Sequence, residues 1–138
     1  MKLVFADTFY WAALTARGDP AHNQALEISR SIAPTKMITI EEVLAEYLTF
    51  FCGAMEHLRQ EVVRNVEAIL HDPTVRVIPQ SHDSCMAGFE LYRNRPDKGC
   101  SLTDCISMET MRRQGLTDVL TNDRHFEQEG FRALFRNF

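Results

Sequence analysis

The chain opens on Leu3-Val4-Phe5-Ala6, four apolar residues without polar alternation, cut short by Asp7-Thr8. A strand with one wet face alternates in character, whereas an unbroken short run suits a strand buried on both faces. Strands of that kind sit inside parallel sheets, and parallel strands need helical crossovers. This one feature favours an α/β fold over an all-helical bundle or an antiparallel sandwich.

The rest of the chain supplies the alternation. Residues 8–15 read as a short helix, and Gly18-Asp19-Pro20 as a turn whose Asp19 caps a helix through about residue 32. Residues 37–40 form a second strand candidate. From 41 to 51, Val43, Leu44, Tyr47, Leu48 and Phe51 share one helical stripe. A further helix after Gly53 carries Leu58, Val62, Val66, Ile69 and Leu70, and Asp72-Pro73 stops it. Residues 75–78 give a third strand, ended by Pro79, and helix returns from 81 to about 93. After the turn Arg95-Pro96-Asp97-Lys98-Gly99, Ser101 caps a helix that runs to Gly115. Residues 118–121 are a fourth strand and 131–135 a fifth. The expectation is one α/β domain over residues 1–138, with a mainly parallel sheet of about five strands and helices on both faces.

Composition agrees with this and excludes other classes. A length of 138 residues with 45% apolar side chains suits one buried core and argues against disorder. No stretch reaches the roughly 20 apolar residues of a membrane span. The first acid comes too early for a signal peptide, so a cytoplasmic location is expected. Cys52, Cys85, Cys100 and Cys105 form no C-x-x-C pair and read as reduced, mostly buried thiols. With 19 acidic and 15 basic residues the net charge is -4, which argues weakly against nucleic acid. Gathering four acids around metal would leave the remainder neutral.

Four acids fall where such a sheet collects ligands, near the carboxyl ends of strands. Asp7 ends the first strand, Asp123 follows the fourth, Glu46 lies in the second turn of the helix after the second, and Asp104 lies in the first turn after Ser101. Each has an ordinary explanation. Asp7 and Asp104 suit helix caps, Asp123 suits a turn beside Asn122, and Glu46 suits a solvated helix edge. Four at one predicted sheet edge favour a site. Two bare carboxylates about 5 Å apart repel by roughly 3 kcal/mol at an effective dielectric near 20, so such a cluster calls for cations. All-oxygen ligands prefer hard ions, Mg²⁺ or Mn²⁺, and a pair of those serves phosphodiester hydrolysis.

At these residues the chain resembles the PIN-domain ribonucleases, in particular the VapC-type toxins of toxin–antitoxin modules. The carriers are Val4-Phe5-Ala6-Asp7-Thr8, Val43-Leu44-Ala45-Glu46, Asp97-Lys98 with Ser101-Leu102-Thr103-Asp104-Cys105, and Leu120-Thr121-Asn122-Asp123-Arg124-His125-Phe126. The resemblance implies a divalent-metal-dependent endoribonuclease, the toxin of a type II pair. Its Mg²⁺ (or Mn²⁺) ligands would be Asp7, Glu46, Asp104 and Asp123, with Thr8 and Thr121 orienting them. It also implies an RNA substrate, a homodimer and a small antitoxin whose C-terminal segment covers the acidic groove. Glu42, one turn before Glu46, competes for its role, and Asp97 reads as a turn acid that assists at most.

Arg93, Arg95, Lys98 and Arg124 stand near the predicted site as candidate phosphate contacts, or equally as solvated helix ends. His125 is expected to be structural. Among Phe9, Tyr10 and Trp11, base stacking competes with core packing or a subunit contact, and packing is favoured. Zinc motifs, a nucleophile elbow and a phosphate-binding glycine loop are absent. A covalent phosphotransferase at Asp7 lacks the second acid it needs at position 9. Two other readings stay open: an RNA-processing nuclease without a toxin role, and a non-catalytic RNA- or protein-binding module.

Overall fold

The computed structural model describes residues 2–137, so residues 1 and 138 of the expected domain lie outside the described residues. The elements are β1 (Lys2–Ala6), α1 (Thr8–Thr15), α2 (Ala21–Ser31), β2 (Thr35–Ile40), α3 (Glu41–Phe50), α4 (Glu56–His71), β3 (Val75–Ile78), α5 (His82–Asn94), α6 (Leu102–Gln114), β4 (Asp118–Leu120), α7 (Arg124–Gln128) and β5 (Arg132–Ala133). The strands form one sheet in the order β3-β2-β1-β4-β5, and every pairing is parallel. Val4, Phe5 and Ala6 are consecutive, point to alternate faces and are all fully buried, so both faces of β1 are covered. The α/β expectation is met.

Boundaries shift where tertiary contacts outweigh local pattern. β2 starts at Thr35 rather than 37, and Thr35 donates its hydroxyl to the Lys2 carbonyl at 2.8 Å. β5 shrinks to two residues. The Leu134 and Phe135 amides still bond the Val119 and Thr121 carbonyls, but Arg136 and Asn137 turn back onto Ala133 and Leu134. The short helix α7 was not anticipated from periodicity, since five residues give too few turns to show one. Asp19 contributes an oxygen to the Ala21 amide at 2.8 Å, although Pro20 is the residue that immediately precedes the helix.

The cysteines divide. Cys100 and Cys105 are buried with their sulfurs 3.9 Å apart, Cys85 is half-buried, and Cys52 is exposed, so the expectation of mostly buried thiols fails at Cys52. All four are free. Burial, with the neighbouring Cys100 second, pushes the Cys105 thiol up to about 12.

The pairing of α5 with α6 positions α6 under the site. It depends on Gly88, because a Cβ there would stand 2.4 Å from Ile106 Cγ1 and 2.9 Å from the Ile106 amide nitrogen. A contact with backbone cannot be relieved by a rotamer change. Gly88→Ala is expected to cost about 1–3 kcal/mol, lowering Tm by roughly 3–10 °C in a thermal melt, although alanine favours helix. An unchanged Tm would show that the two helices can separate freely.

Candidate active site

The order of the sheet sets the site. From β1 the chain moves outward through β2 to β3, then returns to place β4 on the other side of β1. The carboxyl ends of β1 and β4 are therefore the point where strand order reverses, the place where open parallel sheets bind ligands. Phe5 pairs with Val119 and Ala6 with Leu120, which brings the next residues, Asp7 and Thr121, side by side. The buried Thr121 hydroxyl donates to Asp7 Oδ2 at 2.8 Å and accepts from the Asp123 amide at 3.2 Å. One hydroxyl thus ties together the ends of both strands.

The other two acids arrive on helices. α3 follows β2 without an intervening residue, and its buried Val43, Leu44 and Tyr47 fix its rotation. That leaves Glu46 half-buried, where Thr8 donates to its Oε1 at 2.6 Å. Ser101 and Asp104 form a reciprocal capping box at the start of α6, with Asp104 Oδ2 accepting the Ser101 amide at 3.2 Å. Asp104 Oδ1 carries no hydrogen bond among the described residues. Asp123 caps α7 by accepting the His125 amide at 2.9 Å, and His125 Nδ1 lies 2.8 Å from the same oxygen. His125 is a structural partner of Asp123, as expected. The cap readings of Asp104 and Asp123 hold, and they coexist with a place in the site.

All four acids line one cavity of about 500 Å³, together with Thr8, Phe9, Ser101, Thr121 and Asn122. Ala12, Ala13, Asp19 and Phe50 also line it. Glu42 lines a different cavity, beside Gln80, Ser81 and His82, which separates it from Glu46. Asp97 is exposed, 4.0 Å from Lys98, and does not line the cavity.

None of the four candidate basic residues lines it either. Arg95 is committed to Glu129, with its Nε 2.7 Å from the carboxylate, and Arg112 reaches the same group at 2.8 Å. Burial would raise Glu129, but hydrogen bonds from Arg95 and Arg112 outweigh it and hold the carboxyl below its usual value. Arg93 lies 5.9 Å over the Phe89 ring, and Arg124 is exposed. Tyr10 and Trp11 are buried in the core, whereas Phe9 is half-buried on the cavity wall. Phe50, absent from the sequence reading, is the aromatic that the structure adds. Its spacing of four residues from Glu46 is the pattern that marks it.

Asp7 carries the electrostatic load. It is only 5% exposed, and its Oδ1 is buried without a hydrogen-bond partner. Burial, then repulsion from Asp104, outweighs the hydrogen bond from Thr121 and raises its pKa to about 7, with Glu46 adding a smaller push. Burial also raises Asp104, against the Ser101 hydrogen bonds and with Asp123 and Glu46 adding repulsion. Among the described residues no three His, Cys, Asp or Glu side chains close around one point as a finished metal set. The four acids face a shared cavity, each held by its own neighbour. Buried polar atoms are normally satisfied. An unpartnered carboxylate oxygen among other oxygen donors therefore fits a hard cation.

Comparison with known proteins agrees with the architecture. The PIN-domain model matches residues 4–131. The chain belongs to the PIN-domain family. It is 30% identical over 129 residues to the 23S rRNA-specific endonuclease VapC20 of Mycobacterium tuberculosis, covering 94% of this chain and 95% of that protein. The crystal structure of that VapC20, described as a sarcin-ricin loop cleaving toxin, superposes with a TM-score of 0.83 at 26% identity, over 93% of this chain and 95% of that one. FitAcB from Neisseria gonorrhoeae gives 0.67 at 16% identity, over 94% of each chain, and shares the fold. VapBC2 from Rickettsia felis, bound to a promoter DNA fragment, does so at 0.65 and 14%, over 95% of this chain and 96% of that one.

A raised Asp7 pKa means that the folded chain holds a proton the unfolded chain releases. Its ionisation destabilises the fold fully above about pH 7, and the penalty fades as pH falls toward 3.8. Asp7→Asn in metal-free buffer is therefore expected to melt higher than the parent at pH 8, by at most about 4 kcal/mol. The two should converge near pH 4. A variant less stable at pH 8 would mean that the carboxylate is not strained.

Proposed function

We propose that this protein is a divalent-metal-dependent endoribonuclease and the toxin of a type II toxin–antitoxin pair. The observation that carries the reading is the cavity at the β1/β4 switch point, where Asp7, Glu46, Asp104 and Asp123 share a wall and Asp7 Oδ1 is buried without a partner. Likeness to a 23S rRNA-specific endonuclease over 94% of the chain supports RNA as the substrate. Antitoxin control is supported by the likeness to a chain described as a cleaving toxin. A small antitoxin whose C-terminal segment covers the acidic groove, and assembly as a homodimer, belong to this proposal. No helix among the described residues is long and apolar enough to cross a membrane.

In this reading Asp7, Glu46, Asp104 and Asp123 hold Mg²⁺ or Mn²⁺. The ion supplies Lewis acidity for water attack on a phosphodiester and offsets the charge that develops there. The chain's own residues prepare the place. Thr121 fixes Asp7 relative to Asp123, Thr8 fixes Glu46, and the capping box fixes Asp104, which limits the adjustment the four acids need to close on an ion. Arg124, directly after Asp123 and exposed, is the basic candidate best placed to meet a phosphate at the cavity mouth.

The deciding experiment incubates mixed cellular RNA with the purified chain and Mg²⁺ or Mn²⁺, beside Asp7→Asn and a chelator control. Cleavage by the parent alone, abolished by chelation, is the expected result. Equal cutting by Asp7→Asn would remove the basis of the assignment. Metal binding is checked independently by melting. Mn²⁺ at a hundredfold excess over its Kd is expected to stabilise the parent by about 2–3 kcal/mol, and to stabilise Asp104→Asn by distinctly less. Identical metal responses in the two would exclude Asp104 from the ligand set.

A further inference from the structure

The cavity is lined by two chemically different sets of side chains. Its lining combines the four acids with the apolar Phe9, Ala12, Ala13 and Phe50, and Asp19 is the only other charged side chain. No lysine or arginine lines it. Phosphates beside this apolar part of the lining meet no side-chain cation, which leaves the bases as the groups it can hold.

Phe50 is built to hold one. It lies four residues after Glu46 on α3, so it projects from the same face, about 6 Å further along the helix. It is 67% exposed, a large apolar area to leave in water. Its neighbour Phe51 is 7% exposed and buried in the core. The two rings meet edge-on, with centroids 5.0 Å apart and planes at 71°, and Phe51 meets buried Tyr47 in the same manner at 5.7 Å and 84°. A chain of edge contacts from the core thus braces a ring that stays largely exposed. Met55 is more exposed, at 72%, but is not part of this cavity. On the α1 side, Phe9 is likewise braced edge-on by Phe135, at 4.9 Å and 83°.

We propose that Phe50 is a substrate-binding residue, a platform on which a base of a single-stranded RNA segment stacks while the neighbouring phosphodiester lies at the acidic wall. This rests on the nuclease reading above. Stacking suits the position because every base has a π face, and no cation is required. Phe9 and the two alanines would border the base without gripping its edge. The platform therefore contributes affinity for an unpaired nucleotide more than a sequence preference. RNA held in a duplex would have to expose that base first.

The test uses the full chain with Mn²⁺ and a fluorogenic single-stranded oligoribonucleotide of mixed sequence. Phe50→Ala is expected to raise KM about tenfold or more with kcat nearly unchanged, and Phe50→Trp to restore KM. The indole of Phe50→Trp also reports binding directly. Its emission should be quenched by the oligoribonucleotide in Mg²⁺ buffer, read before cleavage proceeds, and not by an abasic ribose-phosphate strand of equal length. Buried Trp11 contributes only a constant background. Unchanged KM in Phe50→Ala, or quenching that is absent or equal for the abasic strand, overturns the proposal and leaves the ring to a protein partner. Failure of the nuclease reading looks different. There the parent and Asp7→Asn cut alike, and the quenching comparison still decides whether Phe50 meets a base.

Discussion

A carboxylate placed where water cannot reach it is the constraint around which this molecule is arranged. Asp7 follows the central strand of the sheet, and the fold does not neutralise it with a lysine or arginine. It offers one hydroxyl, that of Thr121, to one oxygen and leaves the other bare. A protein selected for stability alone would place an asparagine or an apolar residue there. The surrounding architecture is what permits the exception. β1 lies at the centre of the sheet, paired on both sides, so the ends of its neighbours are fixed before any side chain is considered.

The remaining acids economise by serving two purposes. Asp104 and Asp123 each close a helix start with one oxygen, and their second oxygen is not needed for that. A cap restricts the carboxylate to one rotamer at the mouth of a helix, where the backbone dipole also favours negative charge. The local and the functional explanation of such an acid are therefore not rivals. Reading the capping pattern at Ser101–Asp104 as evidence against a site would discard the feature that orients the side chain.

Much of this was legible in the sequence because strands and acids obey local rules. The unbroken run before Asp7, the apolar stripe of α3 and the turn at Asn122-Asp123 each mark their element, and element order then implies the shared edge. Glu42 and Glu46 compete in the sequence one turn apart, and in the fold they line separate cavities. The basic residues were not legible in the same way. Arg95 is near Asp104 in sequence, but its destination depends on Glu129, thirty-four residues away, and no periodicity reports that pairing. Phe50 was missed for another reason: it lies off the apolar stripe that carries Phe51 inside, so periodicity marks it as solvated and gives it no role.

The direct passage from β2 into α3 has a consequence for how such a chain can diverge. With Ile40 the last strand residue and Glu41 the first helical one, no loop exists to absorb a change in length. One inserted residue would swing everything after it by about 100° around the axis. Glu46 would then face away from Asp7, and Tyr47 would leave the core. Relatives of this molecule can exchange side chains across this junction, but the number of residues between the strand and that glutamate must stay constant. Homologous chains should therefore align there without gaps, even where little identity survives.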